Sequence, residues 1–347
     1  MFINISLNLI FQKLYKDYII FKLKMLTETF KKFRGQDPFN DIYGQENAKK
    51  QILSALIMNR HIVLVGPPGI GKTTFAKNVA KLLPEMEVEE IITKKKNKLK
   101  GEERFIRIQG SPDLTVEDMI GDIDPVKAMQ FGPLSIESFT PGKIFKANKG
   151  VLFFDEINRA PEKLQNALLQ VLEEGKATIG GYDLDLEADF VMIATMNPED
   201  FAATEKLSEV LLDRFDFVFV GYPESLDIEK RIVREKSEDL PEVEFPDSLL
   251  NLTLQFIREL RNNENLERVP SVRASIGLYE RSQSNAYLAN KNKVDIKDII
   301  ESFYSVVSHR IRLKPSVKYL MNNKDFIIKE FAKFKENFER ETGEDLP

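Results

Sequence analysis

The sequence contains no cysteine, and histidine occurs only twice in its 347 residues, as His61 and His309. Without thiols the chain has no disulfide bonds and no thiolate metal sites, which is typical of an intracellular protein, so we expect a cytoplasmic location. Two histidines alone argue against a histidine-built metal site. No uncharged apolar run reaches about 18 residues, so no membrane span is predicted.

An excess of basic charge is also missing. The chain carries 50 Lys and Arg against 55 Asp and Glu, a net charge of -5. This balance disfavours nucleic acid as a default partner. Apolar residues make up 42% and charged residues 30%, as in soluble globular proteins, and the length is sufficient for two domains.

The first 24 residues do not resemble a signal peptide, because lysines interrupt each apolar run and no small-residue cleavage site follows. An amphipathic helix at a membrane surface is one interpretation of them. We favour the simpler interpretations, an N-terminal extension or a start codon assigned upstream of a true start at Met25. Residues 1–37 are therefore predicted to be an extension outside the folded domains.

Short apolar runs alternate with amphipathic helical patterns such as 159–174 over the first two thirds of the chain. The runs lie at 62–65, 105–109, 151–154, 190–194 and 215–220. This alternation predicts a parallel sheet covered by helices on both faces. Residues 221–225 indicate a linker, and the pattern beyond them is helical without a further strand. We therefore predict a five-stranded α/β domain, residues 38–221, and a smaller all-helical domain, residues 222–347.

The segment after the first apolar run is almost bare of large side chains. It consists of Gly66, Pro67, Pro68, Gly69, Ile70, Gly71, Lys72, Thr73 and Thr74. Its Gly-x4-Gly-Lys-Thr spacing is the phosphate-binding pattern, in which glycines let successive backbone N–H groups turn inward around phosphate oxygens. The positive end of the following helix dipole adds to this. We expect Lys72 to reach the β- and γ-phosphates of ATP and Thr73 to offer its hydroxyl to Mg²⁺.

A pair of acids follows the buried-looking run at 151–154. Asp155 and Glu156 would lie at the carboxyl end of that strand. A carboxylate there can hold Mg²⁺ through its water shell, and a neighbouring glutamate can deprotonate the attacking water. Asp155 is therefore predicted as the metal ligand and Glu156 as the general base. The run at 105–109 falls between the two motifs, as in P-loop proteins with an extra strand between their two nucleotide strands.

Two further polar residues stand next to predicted strands. Asn197 follows the run at 190–194, and its amide can contact a γ-phosphate or position water; the alternative is ordinary Asn-Pro turn chemistry. Arg214 lies where a helix ends and the last strand begins. It either pairs with a local carboxylate or projects to a neighbour's nucleotide as an arginine finger, and spacing alone leaves both open.

Taken together, these four motifs resemble those of AAA+ ATPases. The segments FTPGKIFKANKGVLFFDEINRAPEKLQNALLQVLEEG, DIYGQENAKKQIL and VPSVRASIGL are similar to the MoxR branch and its magnesium-chelatase relatives, and the similarity covers about residues 38 to 345. It implies that Asn197 is sensor 1, that Arg214 is an arginine finger acting on the neighbouring subunit, and that Arg273 is the sensor 2 arginine of a helical lid. It also implies that Tyr43 and Gly44 lie beside the adenine.

The resemblance further implies a P-loop NTPase fold and a homo-oligomeric ring, usually a hexamer. Its cofactors would be ATP and Mg²⁺, and its work would be to remodel or activate a protein client, often one with a von Willebrand factor A domain. Residues 110–145 fit an insertion that faces the pore or one face of the ring. Residues 177–190 are predicted to form a β-hairpin turned at Gly180-Gly181.

The chain departs from the branch in having a longer segment, 87–105, between the phosphate-loop helix and the second strand. Its lysine-rich part, 94–100, is most simply a solvated surface loop, with contact to nucleic acid or an acidic partner as the alternative.

Two other functions remain open. A nucleic-acid-dependent ring motor shares the same ATPase parts, although no DNA-binding module is recognisable. The ATPase component of a Lon-like protease is similar at 43–73, and we would expect its peptidase on a separate chain. A scaffold that binds nucleotide without hydrolysing it is disfavoured, because every hydrolytic residue is in place.

Overall fold

The computed structural model describes residues 28–90, 92–133, 135–178, 185–198 and 207–342. Residues 1–27 of the predicted extension 1–37 and the turn at Gly180-Gly181 lie outside these ranges. The chain separates into two compact units. The first runs up to Ile42 and includes Glu46–Pro67 and Gly71–Val220. The second contains Tyr43–Gln45, Pro68–Ile70 and the chain from Gly221 onward.

Strands and helices alternate in the first unit. Its strands are β1 (His61–Val65), β2 (Met86–Glu89), β3 (Lys96–Leu99), β4 (Phe105–Gln109), β5 (Gly121–Ile123), β6 (Phe139–Pro141), β7 (Val151–Asp155), β8 (Lys176–Thr178), β9 (Asp185–Glu187), β10 (Val191–Met196) and β11 (Phe215–Phe219). Its helices are α1 (Glu46–Ile57), α2 (Lys72–Leu82), α3 (Val116–Ile120), α4 (Pro125–Phe131), α5 (Lys143–Lys146), α6 (Glu162–Glu174) and α7 (Glu209–Leu212). Helix α6 begins later than the periodicity indicates, because Ala160 is extended ahead of Pro161.

Five parallel strands form the central sheet, in the order β11-β1-β10-β7-β4. The prediction of a five-stranded parallel sheet is confirmed, and each predicted run corresponds to one strand. β10 lies between β1 and β7, the two strands that precede the sequence motifs, whereas β4 lies at one edge. Because the strands are parallel, the carboxyl ends of β1, β10 and β7 lie at one edge of the sheet.

Burial on both faces explains why the central strands are continuous apolar runs. The side chains of Val151–Phe154 and of the whole of β10 are buried. On one side they meet the apolar face of α6, on which Leu164, Leu168 and Val171 are buried. The buried faces therefore fix the position of the polar residues that follow each strand.

His61 opens β1 in apolar surroundings. Its ring lies 6.3 Å from the ring of Phe190 and 6.2 Å from that of Phe215, and its Nδ1 accepts a hydrogen bond from Met192 N at 3.1 Å. Burial, aided by the positive charge of Arg60, lowers the pKa of His61 to about 4. The folded protein therefore holds this imidazole neutral, as an acceptor.

We expect this histidine to make the first unit sensitive to acid. The unfolded chain binds a proton at His61 near pH 6.5, and the folded chain only near pH 4, so stability is lost as the pH falls through that window. The loss approaches about 3 kcal/mol at the acid end. Urea unfolding from pH 7.5 down to pH 4.5 should show this slope in the wild type and a much flatter one in His61→Gln. His309→Gln should lose only a smaller part of the slope, because partial burial also lowers the pKa of the exposed His309. Equal slopes in all three proteins would contradict the assignment.

The lysine-rich part, 94–100, forms the second strand of a β-hairpin, so the prediction of a surface loop is wrong for most of its length. β2 and β3 pair antiparallel, with Glu87 opposite Lys98 and Glu89 opposite Lys96. Opposite charges across an antiparallel pair stabilise it. The run of lysines by itself does not show that glutamates lie opposite them. The lysines themselves are exposed, as expected for a solvated segment.

Two smaller hairpins complete the first unit. Within residues 110–145, β5 and β6 pair antiparallel around α4, whose residues are all at least partly exposed. β8 and β9 also pair antiparallel, with Ala177 opposite Leu186. The hairpin predicted at 177–190 is thus confirmed in its strands, and its tip lies outside the described residues.

The second unit is mainly helical. It contains α8 (Leu226–Lys236), α9 (Asp247–Arg261), α10 (Val272–Leu288), α11 (Ile296–Val306), α12 (Pro315–Lys318) and α13 (Asn323–Thr342), with the strands β12 (Leu266–Arg268) and β13 (Arg312–Leu313). β12 and β13 pair antiparallel. The expectation of no further strand is therefore wrong, because runs of two or three residues are too short to give a period. None of the helices in the described part of the chain is long and apolar enough to cross a membrane.

An aromatic core and a buried ion pair hold the second unit together. The ring of Phe256 lies 5.5 Å from that of Phe303 and 5.0 Å from that of Phe331. The fully buried Glu229 accepts hydrogen bonds from Arg261 at 2.6 and 2.8 Å and from Ser275 at 2.6 Å. Burial alone would raise the pKa of Glu229, but the hydrogen bonds and charge of Arg261 hold it below its usual value. This carboxylate therefore joins α8, α9 and α10 as a charged link.

Candidate functional site

The glycine loop lies between the end of β1 and the start of α2. Gly69 and Gly71 have φ of 77° and 96°, in the left-handed region where glycine is favoured. Gly71 is also the N-cap of α2, so the positive end of the helix dipole lies at the loop. The loop therefore has the geometry of an anion site at a helix N-terminus.

Lys72 is the first residue of α2, and its ammonium lies against the loop. Nζ donates to the carbonyl oxygens of Gly66 and Pro67, the second at 3.0 Å. Gly66 N in turn donates to Met196 O at 3.2 Å, which ties the loop to the end of β10. The ammonium thus lies over the backbone curl that would surround a phosphate.

Asp155 ends β7 at the same edge of the sheet. Its Oδ1 accepts a hydrogen bond from Thr195 Oγ1 at 2.7 Å, and its Oδ2 accepts one from Arg107 Nη2 at 2.7 Å. Thr195 Oγ1 also accepts from the backbone N of Glu156 at 2.9 Å. One hydroxyl on β10 therefore positions both acids of the motif.

Glu156 has an unusual backbone. Its φ of 57° and ψ of 54° are left-handed, which is strained for a residue with a side chain. The chain passes close by at Gly110, where a Cβ atom would lie 2.1 Å from Glu156 O. The carboxylate accepts from Gln109 Nε2 at 2.9 Å and faces Arg159 Nη1 at 3.3 Å. The local geometry thus directs this carboxylate away from the strand and toward polar neighbours.

Sequence reasoning missed Thr195, Arg107 and Gln109. Each lies on a strand next to β7, and the register sets Gln109 opposite Asp155. The available signal was weak: Thr195 is a polar residue inside an otherwise apolar run, and Arg107 and Gln109 alternate with isoleucine.

Thr73 and Asp155 suit a magnesium ion by their chemistry. Thr73 is the second residue of α2, which follows the loop after β1, and Asp155 is the last residue of β7, so both lie at the carboxyl edge of the sheet, with β10 between the two strands. Both offer the hard oxygen ligands that Mg²⁺ prefers. Among the described residues, no three His, Cys, Asp or Glu side chains form a cluster that could hold a metal.

Asn197 and Arg214 lie next to different strands of the sheet and differ in their surroundings. Asn197 directly follows β10 and is partly buried. Arg214 precedes β11, and its guanidinium pairs with Glu173 near the end of α6. The two side chains are 40% and 43% exposed. Within this chain, therefore, Arg214 has the local carboxylate partner that was one of its two interpretations.

Tyr43 and Arg273 belong to the second unit. The Tyr43 hydroxyl donates to Glu235, and the Arg231 guanidinium lies 4.1 Å from the centre of the Tyr43 ring. Both partners are on α8, so this tyrosine is held by stacking and by a charged hydrogen bond. Gly44, the next residue, has a φ of 65°.

Arg273 is the second residue of α10 and is exposed. Gly69 belongs to the same unit by its contacts. A Cβ atom on Gly69 would lie 3.0 Å from Arg273 Cγ and 2.9 Å from Ser271 Oγ. The structure thus brings Arg273 next to a glycine of the phosphate-binding pattern.

Comparison with known proteins matches both parts of the chain. The family model described as magnesium chelatase, subunit ChlI, matches residues 38–207, and the model described as AAA lid domain matches residues 258–330. The uncharacterized protein YeaC of Bacillus subtilis is 30% identical over 80% of this chain and 85% of its own length. Chaperone MoxR1 of Mycobacterium tuberculosis is 27% identical over 78% and 73% of the two chains. The magnesium-chelatase subunit ChlI homolog of Methanocaldococcus jannaschii is 26% identical over 80% and 86%.

Proposed function

Because this chain belongs to the MoxR and magnesium-chelatase branch of the AAA+ ATPases, we propose that it hydrolyses ATP to remodel or activate a protein partner. One observation carries the proposal: the loop that holds Lys72 and the acids Asp155 and Glu156 share one edge of the sheet. Phosphoryl transfer to water requires three parts: a loop that binds the phosphates, a ligand for Mg²⁺ and a general base. This edge of the sheet offers a candidate for each.

Each residue has a definite role in this proposal. The loop amides and Lys72 bind the β- and γ-phosphates, and Thr73 and Asp155 hold Mg²⁺. The bound ion would neutralise charge on the phosphate oxygens. Glu156 accepts the proton of the attacking water, and its contacts with Gln109 and Arg159 orient the carboxylate. Asn197 contacts the γ-phosphate or aligns that water.

The remaining roles concern assembly and partner. We propose a homo-oligomeric ring, with a hexamer as the simplest form, in which Arg214 reaches the nucleotide of a neighbouring subunit and Arg273 acts on the nucleotide from the lid. The relative named Chaperone MoxR1 supports a protein client over a small-molecule one. A client with a von Willebrand factor A domain is our first choice.

The alternative function, a nucleic-acid-dependent motor, can be tested by experiment. Phosphate contacts release counterions, so binding by the exposed lysines of the β2–β3 hairpin would weaken steeply with salt. We expect neither DNA nor RNA to stimulate phosphate release from ATP by the purified chain at moderate salt. The matched variant replaces Lys94, Lys95 and Lys96 with serine and should behave like the wild type. Strong stimulation that this variant loses would favour the nucleic-acid motor instead.

A further inference from the structure

Arg107 contacts the carboxylate that we assign to the metal. It lies on β4, the edge strand of the sheet, and its Nη2 donates to Asp155 Oδ2 at 2.7 Å. The same nitrogen is 3.4 Å from Gln109 Oε1. The arginine side chain is 53% exposed and that of Asp155 is 18% exposed. A long side chain that is half exposed to solvent thus contacts a largely buried carboxylate.

This contact gives Oδ2, the second carboxylate oxygen of Asp155, a hydrogen-bond donor. Oδ1 already accepts from Thr195 Oγ1 at 2.7 Å, so both oxygens have partners within the protein. A guanidinium–carboxylate hydrogen bond is stronger than a neutral one. A divalent cation approaching Oδ2, directly or through a water, would meet the positive charge of the guanidinium that holds the same atom.

We propose that Arg107 is an internal counter-ion that competes with Mg²⁺ for Asp155 and so sets the metal concentration at which the nucleotide site fills. This inference rests on the proposed function, because it takes Asp155 as a metal ligand. It makes Arg107 a positioning residue that acts through Asp155 and leaves the nucleotide itself untouched. When the guanidinium leaves, its half-exposed side chain has solvent to enter, so the exchange needs no rearrangement of the core.

The neighbouring acid offers a matched control. Arg159 Nη1 lies 3.3 Å from Glu156 Oε2, and the arginine is 45% exposed. It resembles Arg107 in charge and exposure but faces the candidate base instead of the metal ligand. Neutralising Arg159 changes the local charge by the same amount without freeing Asp155.

The test follows the binding of a fluorescent N-methylanthraniloyl ADP while Mg²⁺ is titrated. We expect Arg107→Gln to lower the Mg²⁺ midpoint by roughly fivefold, the scale of a partly exposed ion pair. Arg159→Gln should keep the wild-type midpoint. In EDTA, Arg107→Gln should bind the nucleotide as tightly as the wild type does. Arg107→Met, which keeps the alkyl stem, repeats the measurement with a different neutral side chain, and thermal unfolding checks that each variant folds.

Two results would overturn the inference while leaving the proposed function intact. An unchanged Mg²⁺ midpoint in both Arg107 variants would show that this arginine does not compete with the metal. A loss of nucleotide affinity in EDTA would make Arg107 a phosphate ligand instead. If the wild type itself failed to bind the nucleotide at any Mg²⁺ concentration, the proposed function would fall.

Discussion

Mixing two nearly inactive variants, Arg214→Ala and Glu156→Gln, is expected to restore part of the ATPase activity. Loss of an arginine finger costs on the order of 10³-fold in turnover, so each variant alone should be almost silent. If Arg214 acts across an interface, one mixed interface combines an intact Glu156 with an intact Arg214 and works. If Arg214 serves its own subunit, every site in the mixture retains a defect.

The contact between Arg214 and Glu173 does not decide against action on a neighbour. Both side chains are more than a third exposed, and pairs of this kind contribute only about 0–1 kcal/mol. A 10³-fold gain in turnover corresponds to about 4 kcal/mol of transition-state stabilisation. A catalytic contact of this size would therefore outweigh the local pair that it replaces.

Phosphate release should be measured at several mixing ratios, with subunit exchange checked by size-exclusion chromatography in the presence of ATP. Glu173→Gln is the control, since it removes the local pair and leaves Arg214 in place; its activity should stay within a few-fold of the wild type. A complete lack of activity at every ratio, in subunits that do exchange, would exclude the ring mechanism.

Glu156→Gln alone is expected to slow turnover by at least about 100-fold while ATP remains bound, because the amide cannot accept the proton of the attacking water. Glutamine has the same length and can still accept from Gln109, so the backbone and the phosphate loop should keep their geometry. Lys72→Ala should instead lose nucleotide binding, because the phosphates lose their principal cation.

Nucleotide binding by fluorescence and single-turnover hydrolysis separate these two effects. The pair of variants is informative because one should bind without hydrolysing and the other should not bind at all. Wild-type turnover by Glu156→Gln would remove the general-base assignment, and tight binding by Lys72→Ala would remove the phosphate role of Lys72.

Local sequence alone determined the strands of the central sheet and the form of the phosphate loop. A strand buried on both faces must be a continuous apolar run, so segments such as 151–154 are visible without any knowledge of their neighbours. The loop is recognisable from its own residues too, but for a different reason: the positive φ at Gly69 and Gly71 favours glycine at those positions. These features depend on one stretch of chain and its burial.

Only the tertiary structure decided which side chains meet at the end of the sheet. Asp155 contacts Thr195 and Arg107, which lie 40 and 48 positions away along the chain. Their meeting depends on the strand order β10-β7-β4 and on its register, and a slip of one residue would turn each of these side chains to the other face. No local pattern carries that information, because register is set by packing between strands that are far apart in sequence.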